Sequence, residues 1–143
     1  MEKEKVVKSS SSSNEVTTAA EQLKASYQNF LNESAKLFPK IDQKLLLDIL
    51  QFETNYKDWE GNVLLKIVYD SNANIDTEQK KEMIFQRYQK MPNYIVEDRS
   101  LRVLVRRMYV NELEKLLNSD NDIVYVYGSA TLSPTDSYSD SAA

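Results

Sequence analysis

Apolar residues recur at intervals of three and four through Leu23, Tyr27, Phe30, Leu31, Ala35, Leu37 and Phe38, which predicts a helix from about residue 21 with an aromatic-rich face. Pro39 lacks a backbone N–H and disfavours helical geometry at Phe38, so the helix ends there. Residues 40–52 carry Ile41, Leu45, Leu46, Leu47, Ile49, Leu50 and Phe52, apolar on too many sides for a surface helix and therefore predicted to lie centrally. Trp59, Val63, Leu64, Ile67 and Val68 fit a third short helix over 59–69, and residues 71–74 form a polar connector. Asp76 or Thr77 caps a fourth helix over 78–91, with Met83, Ile84, Tyr88 and Met91 as its buried stripe and Pro92 as its stop. The last helix is predicted from about 97 to 118. Leu101, Leu104, Val105 and Met108 form one stripe, continued by Leu113, Leu116 and Leu117 after a phase shift near Tyr109, while Glu97 and Asp98 complement the dipole at its start. Residues 123–127, Ile-Val-Tyr-Val-Tyr, are the one convincing strand pattern, and a lone strand either packs on the helices as extended chain or joins a sheet edge in a partner.

Two glycines and three prolines in 143 residues supply too few turns for a sandwich or barrel, so the fold class expected is all-α, about five helices in one small bundle. Residues 1–20 are Lys, Glu, Ser and Thr with little to bury and read as a disordered leader; 128–143 read as a disordered tail. Between them lies a helical domain over 21–127, in which 77–119 holds two further helices after the first three.

There is no histidine and no cysteine, which removes the usual general bases, covalent thiols and transition-metal ligands. No Gly-rich phosphate loop, nucleophile elbow or calcium-loop Asp series occurs either. The expectation is a non-enzyme without cofactor or metal. The net charge of -4 argues against general nucleic-acid binding, although a local basic face is compatible with it. Arg99, Arg102, Arg106 and Arg107 supply one on the last predicted helix, and its sharper reading is an acidic or phosphate-bearing partner. No apolar run suits a membrane span and the N-terminus lacks a secretory core, so an intracellular protein, cytoplasmic or nuclear, with no membrane partner is expected.

Phe38-Pro39, followed after 26 positions by Leu64-Leu65, gives the stretch over about 30–70 a family likeness. It resembles a CUE domain, a three-helix relative of the UBA fold, with Leu37 where that family usually has Met and Asp42 just after the Phe-Pro. The resemblance implies ubiquitin binding through Leu37, Phe38 and Pro39 on one side and Leu64 and Leu65 on the other. The function expected is thus a non-catalytic adaptor for ubiquitin or a ubiquitin-like protein. The alternative is a small structural subunit of a larger intracellular assembly, in which the Phe-Pro and Leu-Leu pairs are simply core. In either case Arg99, Arg102, Arg106, Ile123, Tyr125 and Tyr127 are the further candidate partner contacts.

Overall fold

Residues 62–69, Asn-Val-Leu-Leu-Lys-Ile-Val-Tyr, form a β-strand and not the third helix of a bundle. Val63, Leu65, Ile67 and Tyr69 are buried together on one face, at the period of two that a strand imposes. Valine and isoleucine favour that pleated surface because their branched Cβ is stiff. In the computed structural model, which describes residues 12–133, this strand is the second from one edge of a four-stranded sheet, so the all-α expectation is overturned.

The described elements are α1 (Ser12–Leu37), α2 (Gln43–Asn55), β1 (Asn62–Tyr69), α3 (Thr77–Tyr88), β2 (Asn93–Ile95), β3 (Ser100–Arg106), α4 (Val110–Ser119) and β4 (Ile123–Ala130). Strand order is β2-β3-β1-β4, and every neighbouring pair is antiparallel. From β1 onward the chain runs β-α-β-β-α-β, the split βαβ or ferredoxin-like topology. The helix expected from 97 to 118 is therefore two elements, β3 and α4, joined at Arg107–Tyr109. The strand at 123–127 is not alone either: β4 pairs with β1 from Val63↔Ala130 to Tyr69↔Ile123.

α1 constitutes one unit and residues from Phe38 onward a second. Within the second, Leu45, Leu46 and Ile49 of α2, Ile84 of α3, and Leu113 and Leu116 of α4 form a single core with the inward residues of β1, β3 and β4. All three helices thus cover the same face of the sheet. Asp42 caps α2 by accepting from Leu45 N at 3.1 Å, and Asp76 caps α3 by accepting from Glu78 N at 3.1 Å. Val126 N donates to Lys40 O at 2.7 Å and Asp42 N to Val126 O at 2.8 Å, so residues 40–42 lie alongside part of the β4 edge. At the other end of β1, Trp59 is buried, stacks on Tyr109 at 6.0 Å and donates Nε1 to Thr131 O at 3.1 Å. A Cβ on Gly61 would overlap Thr131 O and Trp59 Nε1, which explains a glycine where a helix start was expected.

Two boundaries move as well. α1 begins at Ser12, inside the stretch read as a leader, and β4 with its following residues is described to Ser133, inside the stretch read as a tail. Residues 1–11 and 134–143 lie outside the described residues.

Candidate binding face

Because side chains alternate along a strand, the residues next to the core positions all point to the opposite, outer face. There the register aligns Tyr127 of β4, Lys66 of β1, Arg102 of β3 and Asn93 of β2 in one row across four strands. Neighbouring rows are Tyr125, Val68, Ser100 and Ile95 on one side and Ser129, Leu64 and Leu104 on the other, with Arg106 opposite Asn62 beyond. The four strands carry Lys66, Arg102 and Arg106 and no Asp or Glu.

Lys66 and Arg102 are directly opposed on adjacent strands, an arrangement that like charges destabilise. One carboxylate relieves it in part. Asp98, in the turn before β3, accepts from Ser100 Oγ at 2.6 Å, from Arg102 Nη2 at 2.9 Å and from Tyr127 Oη at 2.9 Å. The Ser100 hydroxyl foremost, with the Arg102 and Tyr127 hydrogen bonds, holds the Asp98 carboxyl down at about 2. Arg102 Nε is buried and finds no hydrogen-bond partner among the described residues. Lys66 Nζ lies 5.2 Å from the centroid of the Tyr127 ring, a cation–π contact. Neither Lys66 nor Arg106 meets a carboxylate among the described residues.

The two tyrosines are held by their hydroxyls. Tyr125 Oη donates to Asp42 Oδ1 at 3.3 Å, and the Tyr125 and Tyr127 rings lie 6.2 Å apart at 28°. Burial and then the neighbouring carboxylate, Asp42 or Asp98, raise both phenols above their ordinary value. Tyr125 is still 37% exposed, so its ring is reachable.

Of the residues named from sequence, Arg102, Arg106, Tyr125 and Tyr127 come together on this face. Arg99 sits in the tight turn before β3 at φ 54°, and Ile123 is fully buried on the inner side. Leu37 is exposed at the end of α1, Phe38 is partly buried against the core of the second unit, and Pro39 is exposed. Leu65 is fully buried in the core, and Leu64 points to the outer face but is buried there. The third helix that would complete a CUE-like trio is strand β1. Sequence reasoning missed Lys66 and Asp98; the alternation of Leu64, Lys66 and Val68 against Val63, Leu65 and Ile67 was the available signal for the first. Among the described residues no group of three or more acidic side chains is placed to hold a metal ion, and no helix is long and apolar enough to cross a membrane.

Compared with models of known families, with curated proteins and with solved structures, the chain matches none.

Proposed function

We propose that this protein is a non-catalytic binding module that docks an extended anionic partner on the outer face of its sheet. The observation that carries this reading is the opposed pair Lys66 and Arg102, in line with Tyr127 and near the exposed Arg106, on strands devoid of acidic residues. A sheet serving only as support would gain stability by exchanging one of the two cations, since like charges opposite each other cost up to about 1 kcal/mol. An anionic ligand turns that cost into affinity. The test is retention on immobilised inorganic polyphosphate. Lys66→Met combined with Arg106→Gln should elute at distinctly lower salt while melting within about 2 °C of wild type, because surface changes cost little. Unchanged elution would defeat the proposal.

The ubiquitin-adaptor reading loses Leu65 as a contact, because that side chain is fully buried. The assembly-subunit reading keeps one specific support: Leu23, Tyr27 and Leu37 on α1 are 74%, 55% and 63% exposed. Leu23→Glu with Tyr27→Glu should then release co-purifying protein in stoichiometric amount; unchanged recovery of that protein would exclude α1 as its docking element.

A further inference from the structure

Resting on the reading that the outer sheet face takes an anionic partner, we infer that this partner is a single-stranded nucleic acid, bound by base stacking on Tyr125, which Tyr127 backs, with its phosphates on Lys66, Arg102 and Arg106. The tyrosines decide between nucleic acid and an acidic protein. Both hydroxyls are already engaged, Tyr125 with Asp42 and Tyr127 with Asp98, so neither is needed as a donor to a carboxylate. What the pair offers a ligand is ring surface held at a fixed angle. The rings stand at alternate positions of one strand and stack on each other with centroids 6.2 Å apart, so the 37% exposed Tyr125 offers ring surface to a base with Tyr127 packed behind it.

Carboxylates of a peptide gain nothing from such faces, whereas every nucleobase has a face to stack and its phosphate is near enough for an adjacent cation. Here cation and ring alternate: Lys66 touches the Tyr127 ring, Arg102 follows in the same row, and Arg106 lies four residues further along β3. A duplex hides its base faces, so only unstacked bases can use this platform. The overall charge of -4 does not oppose this, because charges more than about 8–10 Å away are largely screened and no strand carries an acid. Asp98 and Asp42 are the acids nearest the rings, and both are already engaged, Asp98 by Ser100, Arg102 and Tyr127 and Asp42 by Tyr125 and the Leu45 amide.

The experiment is fluorescence anisotropy with labelled oligouridine and oligothymidine of about 12 nucleotides, within the usual site range. Competition with unlabelled polyphosphate and with poly-glutamate is measured in parallel. Tyr125→Leu should weaken oligonucleotide binding about 5- to 150-fold, the size of one stacking contact, and leave polyphosphate competition unaltered. Tyr125→Phe keeps the ring and should retain wild-type affinity. Lys66→Met should weaken both ligands. A preference between the two oligonucleotides assigns RNA or DNA, and equal affinity assigns single strands of either kind. If Tyr125→Leu binds the oligonucleotides like wild type, or no oligonucleotide binds while the protein is still retained on polyphosphate, the nucleic-acid inference is overturned and the anionic-face reading stands. If no polyanion binds, both are overturned.

Discussion

On the inner face of the sheet Val63, Leu65 and Ile67 of β1 meet Leu101, Val103 and Val105 of β3 and Val126 of β4, and every one is buried. The alternate positions of the same strands place Lys66, Arg102, Arg106, Tyr125 and Tyr127 on the outer face. Only one residue step separates the two chemistries, and a register slip by one would exchange them. The inner face is constrained by the fold: any apolar side chain of suitable volume serves, and none can be charged. The outer face is not so constrained. Its opposed cations work against sheet stability, and the single carboxylate supplied from the β2–β3 turn offsets them incompletely. Residues the fold does not need are the ones through which recognition of a partner can act.

The sharpest way to break this contrast is at the di-leucine, where two neighbours belong to different faces. Leu65→Asp would bury a carboxylate in a fully closed core and should abolish the folding transition, a loss of more than about 4 kcal/mol. Leu65→Ala should cost about 2–5 kcal/mol through lost burial and a cavity. Leu64→Asp, on the outer side beside Leu104 and Ser129, should be the milder of the two Asp variants in urea unfolding. Equal losses for the two would show that the faces are not distinct.

The same positions show why the fold was only partly readable from sequence. Arg102 and Arg106 are four residues apart, an even spacing that keeps one face of a strand and also falls within about 40° on a helix, so the basic stripe fits either period. Leu101 with Val105, and Val63 with Ile67, carry the same ambiguity. It is the intervening Leu65 and Val103 that select the strand. By contrast α2 was legible because its apolar residues, from Ile41 to Phe52, span more positions than a usual strand. β4 was legible by its β-branched and aromatic composition. Its partner was not, because reading β1 as a helix removed the only strand it could pair with. Residues of the outer face were visible as exposed cations and tyrosines, while their meeting in one row follows from register, which a single sequence does not encode locally.

Ion pairs on the two sides sharpen the comparison further. Behind the inner face Lys80 Nζ lies 2.9 Å from Asp120 and 2.8 Å from Asp122, with Lys80 and Asp120 side chains both 7% exposed. Burial pushes the ammonium down, but the hydrogen bonds it donates to Asp122 and Asp120 outweigh this and hold it above its ordinary value. Lys80→Met should cost about 3–5 kcal/mol, since it strands a buried carboxylate, and adding Asp120→Asn should recover part of that loss. Chemical denaturation of the single and double variants measures it. A single variant as stable as wild type would mean that the pair is solvated and that the two sides of the sheet do not differ in this respect.

The outer-face pair should be worth far less. Arg102 and Asp98 are 24% and 33% exposed, so solvent screening limits the contribution of their salt bridge to about 0–1 kcal/mol. The sign of its pH dependence is fixed by Asp98, whose carboxyl titrates at about 2 in the folded chain against 3.8 for the free group. A depressed folded value means that the stabilisation is complete above 3.8 and is lost as pH falls toward about 2. Asp98→Asn should therefore melt slightly below wild type at pH 7, with the difference shrinking between pH 4 and pH 2 as the native carboxyl takes up its proton. It also leaves Lys66 and Arg102 without their one nearby acid, so polyphosphate retention should rise as stability falls. If the melting difference persists unchanged at pH 2, Asp98 acts through packing rather than through its charge, and the outer face carries less electrostatic strain than its opposed cations imply.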